Sequence, residues 1–203
     1  YEGSPTPVTA FMSGAPKAAS FAVFLRVFAE ALGGVKAHWQ PILITLAVAT
    51  MVLGNVVAIV QTNIKRMLAY SSIAHAGYAL IGIIVGGGLG TMSLMLYLMI
   101  YSLMNLGAFG VVIILRKGGM RGEDIADFTG LAKKNPVAAV IMLIFMFSLA
   151  GLPPTAGFVA KFYLFMGAVE AGLVWLAVVG VLLSAVSAYY YLRVVMVMYM
   201  REP

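Results

Sequence analysis

A chain of 203 residues that is 63% hydrophobic and only 10% charged cannot clothe a soluble core, because soluble domains carry about 25% charged residues. The net charge of +6 does not point to nucleic acid: the basic residues bunch in short connections between apolar runs, as membrane topology produces. With no cysteine, thiolate-bound metals and clusters are excluded, and the redox compartment is not readable.

Six apolar segments follow in chain order, over residues 8–32, 41–62, 65–86, 91–115, 136–168 and 173–200. Each exceeds the ~20 residues needed to cross a bilayer's hydrocarbon core. The expected fold class is therefore all-α, a polytopic membrane bundle of about six spans forming one transmembrane domain over residues 1–203. The first segment is interrupted at Ser13-Gly14-Ala15-Pro16. The third opens on Lys65-Arg66 and ends in Gly86-Gly87-Gly88, a glycine run that follows no strand and reads as a turn. The fifth starts at Pro136, a favoured first helical position, and is broken at Leu152-Pro153-Pro154. Residues 116–135 form the long connection, in which residues 123–128 can make a short interfacial helix. Tyr1 is not an initiator and Arg201-Glu202-Pro203 ends just past a span, so we expect a piece of a longer polytopic chain.

The loops orient the bundle. One side collects Lys65, Arg66, Arg116, Lys117, Arg121, Lys133, Lys134 and Arg201; the other has Lys36, with Arg26 a turn or two inside. The positive-inside rule makes the first side cytoplasmic.

Two lysines lie where charge is expensive. Lys17 is nine residues into the first segment, about 14 Å deep, and Lys161 lies about 10 Å beyond the double proline. A lysine at the bilayer centre costs at least ~3 kcal/mol, so such residues face a bundle interior, water or, by snorkelling, the interface. Both sit near candidate helix breaks, Pro16 and Pro153-Pro154, and exposed backbone at membrane depth persists only inside protein or beside water. Arg26 and Glu30, four apart near a helix end, read as a peripheral ion pair. On the third segment Ser71, Ser72 and His75 interrupt an apolar surface. His75, about 15 Å beyond Lys65, can relay a proton through its two nitrogens or simply bond a neighbouring helix. Ser102, Asn105, Ser184 and Ser187 can hold water, but read more simply as interhelical hydrogen bonds. The acidic residues (Glu2, Glu30, Glu123, Asp124, Asp127, Glu170 and Glu202) all fall in loops or near span ends, leaving both deep lysines without a carboxylate here.

Several segments resemble the antiporter-like subunits of respiratory complex I. They are Tyr1 to Val8 leading into Ala15-Pro16-Lys17, Gln61 through His75, Asn105-Leu106-Gly107-Ala108-Phe109, Leu149 through Phe158 with Lys161-Phe162-Tyr163, and the tyrosine run before Leu192-Arg193. Covering nearly the whole chain in order, they are most similar to the N-type subunit, called subunit 2 in mitochondria, of proton-pumping NADH:quinone oxidoreductase. The resemblance implies two inverted five-helix repeats, each with a broken helix. The first segment would be the eighth span and the other five the second repeat, so the chain would be the C-terminal half. It also implies a proton path along a buried polar axis. Lys17 would be the connecting lysine and Lys161 the exit-side lysine, with His75 and Lys65 completing the proton-translocating set. NADH, flavin (FMN), iron–sulfur clusters and quinone are then expected in partner subunits and no cofactor here. The partners would be other membrane subunits of complex I and the lipid bilayer, with no nucleic acid, in a multi-pass protein of the bacterial inner membrane. A cation/proton antiporter subunit of the same fold, or a purely structural membrane subunit, is the alternative.

Overall fold

The computed structural model describes residues 4–117 and 122–202. Residues 1–3, 118–121 and 203 lie outside the described residues, and with them Tyr1, the opening of the N-terminal motif and part of the 116–135 loop, Arg121 included. The described regular elements are helical: α1 (Thr6–Arg26), α2 (Lys36–Ile59), α3 (Ile64–Val85), α4 (Gly87–Lys117), α5 (Leu131–Lys134), α6 (Pro136–Ala150), α7 (Ala156–Glu170) and α8 (Val174–Met200). Five continuous stretches are long and apolar enough to cross a membrane. The fifth apolar segment is instead two helices of 15 residues each, about 22 Å apiece and too short to cross alone.

Helix boundaries differ from the sequence expectation where side chains anchor the ends. α2 begins at Lys36, placing Pro41 inside the helix. Its first turn is tied down by Lys36 Nζ donating to Val85 O (2.8 Å), Gln40 Nε2 to Ile84 O (3.2 Å) and the Trp39 indole to Leu32 O (2.9 Å). α1 ends in a π-helical turn, Val27–Ala31, beside the exposed Arg26–Glu30 pair at 3.8 Å. The glycine run is a tighter turn than expected: Gly86 (φ 69°) and Gly87 (φ 62°) reverse the chain, and α4 starts at once. That conformation favours glycine, which has no Cβ to clash.

α3 is the most buried of the five spans. It meets α2 at glycine-thin contacts: a Cβ on Gly54 would fall 2.5 Å from Ala74 N, and one on Gly77 2.5 Å from Met51 Cγ. Small residues at such crossings let backbones approach where no hydrophobic drive holds helices together in lipid. The far end of α2 is closed by Arg193 of α8, whose guanidinium donates to Ile59 O (2.9 Å) and to Gln61 O.

The predicted cytoplasmic connections gather at one end of the bundle. Lys65 reaches Ser4 O (2.6 Å), Arg116 bonds Thr6 and Glu123, and Lys133 approaches Glu202 at 3.9 Å. Backbone bonds Ile64 N–Glu123 O (2.9 Å) and Ile125 N–Thr62 O (2.8 Å) staple the 116–135 loop to the α2–α3 turn. In that loop Ile125–Phe128 form a 3-10 helix, with Asp127 Oδ2 accepting from the amides of Glu123 and Asp124.

Candidate functional site

The double proline determines the surroundings of Lys161. In an α-helix the carbonyls of Leu149 and Ala150 would accept from the amides of residues 153 and 154, and both of those are prolines without an N–H. α6 accordingly stops at Ala150, and Gly151 turns the chain with φ 82°. Lys161, one turn into α7 and 4% exposed, returns its ammonium to the two released carbonyls, at 3.2 Å from Leu149 O and 3.0 Å from Ala150 O. Its third donor goes to Ser184 Oγ of α8 at 2.8 Å, and the Tyr78 ring lies 5.0 Å away. The break and the lysine are one unit. A cavity of about 700 Å³ between α7 and α8 reaches this unit; Lys161 and Ser184 are the polar residues of an otherwise apolar lining.

Lys17 lies midway along α1 and is half-buried. It points into the bundle, donating to Ser72 O (2.5 Å) and to the Ser72 hydroxyl on α3, with Tyr101 of α4 5.7 Å from its Nζ. No ion pair to either lysine occurs among the described residues. Each ammonium is instead held by neutral oxygens and an aromatic face, the latter worth about 0.5–2 kcal/mol.

Between the two lysines stands His75, 2% exposed. Both ring nitrogens are engaged, Nδ1 with Tyr97 OH at 2.6 Å and Nε2 with Tyr191 OH at 3.2 Å. Tyr101 stacks on the imidazole at 4.7 Å, and Tyr78 meets it edge-on at 5.8 Å. Tyr78 and Tyr101 therefore each touch the histidine on one side and a lysine on the other. Beyond Tyr78, Asn55 bonds Tyr190 (3.0 Å) and Tyr78 (3.5 Å), so polar side chains of α2, α3 and α8 interlock.

Residues 1–187 match the family described as NADH:quinone oxidoreductase/Mrp antiporter, TM. The chain belongs to that family. Over all 203 residues it is 60% identical to the NADH-quinone oxidoreductase subunit N 2 of Rhizobium meliloti and covers 42% of it. A chain of respiratory complex I from Thermus thermophilus with bound Aureothin matches at TM-score 0.82 and 38% identity, over 100% of this chain and 44% of that one. The Mrp complex of Dietzia sp. matches at TM-score 0.89 and 28% identity, over 98% of this chain and 37% of that one. This antiporter-family chain thus spans about two fifths of the length of the relatives it matches. It is a multi-pass integral membrane protein.

One residue of this family member sits differently from the sequence expectation. Pro16 does not break its helix: α1 runs unbroken from Thr6 to Arg26 with Pro16 inside. A single proline removes one backbone bond, and lipid offers the neighbouring carbonyls no better partners than their own i+4 amides. Pro153-Pro154 removes two adjacent bonds and a lysine takes both acceptors, which is why that break persists. Lys65 lies at the rim, as the loop-charge reading placed it, its amine on Ser4 O at the end where the charged loops meet and ten residues, about 15 Å, along α3 from His75. The site tyrosines do not stand out in the sequence: Tyr97 and Tyr101 are four residues apart in an apolar span, and Tyr191 is the last of three consecutive tyrosines. Ser184, read as an interhelical hydrogen bond, bonds Lys161.

Proposed function

We propose that this chain carries protons across the membrane as part of an antiporter-like N subunit of NADH:quinone oxidoreductase. Electron transfer in partner subunits, which hold NADH, FMN, iron–sulfur clusters and quinone, would drive it from the bacterial inner membrane. The observation carrying this reading is the set formed by half-buried Lys17 and buried Ser72, His75, Tyr97, Tyr191 and Lys161, in which each ionisable side chain bonds a hydroxyl inside apolar spans and the rings of Tyr78 and Tyr101 lie between the lysines and the histidine. Intramembrane ionisable residues facing the bundle interior mark ion and proton paths. The 60% identity to a relative named subunit N supports the choice of complex.

The groups suit reversible proton transfer for stated reasons. An ammonium held only by neutral oxygens is not locked into an ion pair, so it can release a proton and take one back. Neutral His75 accepts a proton at one ring nitrogen and gives one up from the other. A tyrosine hydroxyl both donates and accepts, so Tyr97 and Tyr191 can extend this exchange on both sides of the ring. Released carbonyls at Leu149 and Ala150 stabilise protonated Lys161, and the Ser184 hydroxyl, which can both accept and donate, stands at its ammonium as the next group for a departing proton.

The likeness to the Mrp complex favours a second reading, a cation/proton antiporter subunit. Membrane vesicles holding the full-length chain in its native complex separate the two. Vesicle acidification driven by NADH and independent of sodium supports the proposal; sodium-driven proton exchange without NADH, abolished by Lys161→Ala, supports the antiporter.

A further inference from the structure

Thr6, Thr9, Ser13 and Lys17 fall within about 80° of one another on α1, and this face packs on α4. Thr6, Thr9 and Ser13 are buried, with Thr9 and Ser13 wholly enclosed. Polar side chains in that run are costly in an apolar span unless they have partners. Their partners form a file. At the rim Lys65 Nζ donates to Ser4 O (2.6 Å), Ser4 and Thr9 hydroxyls lie 2.7 Å apart, and Arg116 donates to Thr6 Oγ1 (2.9 Å). Deeper, Asn105 Nδ2 of α4 donates to Ser13 Oγ (2.6 Å), whose own proton goes to Ala10 O (2.8 Å). One turn further in is Lys17, eleven residues and about 16 Å from Thr6. Asn105 is 1% exposed, and its Oδ1 accepts no hydrogen bond from the described residues. Simple interhelical bonding would need only the Nδ2–Ser13 contact. A buried carbonyl with no donor is the usual seat of a structural water.

We propose that Thr6, Thr9, Ser13 and Asn105 line the water-bearing path by which protons reach Lys17 from the rim holding Lys65 and Arg116. This rests on the proton-transfer reading of Lys17 and adds its entry route. The ligand is water carrying a proton rather than a metal cation: the file's oxygens are neutral, no carboxylate reaches into it among the described residues, and an amine closes its inner end. Hard cations favour oxygen cages that include carboxylates.

Cysteine accessibility tests the path in the full-length chain within its native complex, on inverted vesicles during turnover. This segment has no native cysteine, so Thr9→Cys and Ser13→Cys each introduce one near-isosteric thiol here. Methyl methanethiosulfonate, small and neutral, reacts with the thiolate, which forms where water reaches. Peptide mass spectrometry should show both positions labelled, Thr9→Cys faster than Ser13→Cys, with Ser13→Cys labelling slowed severalfold by Asn105→Leu. Inert thiols at both positions, while Lys133→Cys at the surface labels fully and Lys17→Ala abolishes pumping, would overturn the path but leave the relay standing. An unchanged labelling rate in Asn105→Leu would also overturn it. Full pumping by Lys17→Ala would instead remove the relay reading on which the path depends.

Discussion

Tyr97→Phe removes the hydroxyl 2.6 Å from His75 Nδ1 and leaves a buried nitrogen with no partner. A stranded polar group of this kind costs about 1–3 kcal/mol. It also ends the exchange through that nitrogen, so pumping should fall severalfold in an assembled complex. Tyr191→Phe, which cuts a longer contact of 3.2 Å, should weaken pumping less. Equal, full pumping in both would reduce the tyrosines to packing. Lys17→Arg should not restore what Lys17→Ala loses, because a guanidinium stays protonated at any working pH and cannot hand its proton on. At this scale the sequence is readable where a residue type is out of place: Lys17, His75 and Lys161 stand out in apolar runs. Tyrosines do not, because an aromatic ring in such a run reads as core, and its hydroxyl has meaning only once a partner from another helix is known.

The unit formed by the α6–α7 break and Lys161 depends on Gly151. A Cβ there would lie 2.9 Å from Lys161 Cδ on a backbone of φ 82°, whereas Gly87, at φ 62°, has nothing within 4 Å of an added Cβ. Both Gly151→Ala and Gly87→Ala carry a left-handed strain of about 1–2 kcal/mol. Gly151→Ala alone should also displace Lys161 and lower pumping, while Gly87→Ala should lower thermal stability only. Equal effects of the two on pumping would separate the break from the lysine's function. That break is legible in the sequence, because two consecutive prolines free two known carbonyls. The behaviour of α1 is not: one missing bond at Pro16 leaves the balance to the rest of the helix and to its packing on α3 and α4. Helix starts at Lys36 and Gly87 are equally hidden, since they depend on contacts with α3 and on a turn conformation rather than on apolar content.

At the scale of the molecule, the charged connections that gather at one end predict sidedness. Lys133→Cys should react with an impermeant thiol reagent from the cytoplasmic face, and Ala171→Cys, in the α7–α8 turn, from the opposite face. Reaction of both from one face would contradict the orientation. Loop charge alone makes this order legible, because basic residues resist translocation whatever the helices do inside the membrane. The route of protons inside is less legible, since it is assembled from α1, α3, α4, α7 and α8 across separations no local pattern records. The central claim is that the axis from Lys17 through His75 to Lys161 carries protons. Its most direct test is the proton yield per electron of the native complex bearing Lys17→Ala or Lys161→Ala in the full-length chain. The yield should drop in each, with pumping slowed roughly tenfold or more, as loss of a positioned proton-transfer group predicts. A wild-type yield from either assembled variant would contradict the account.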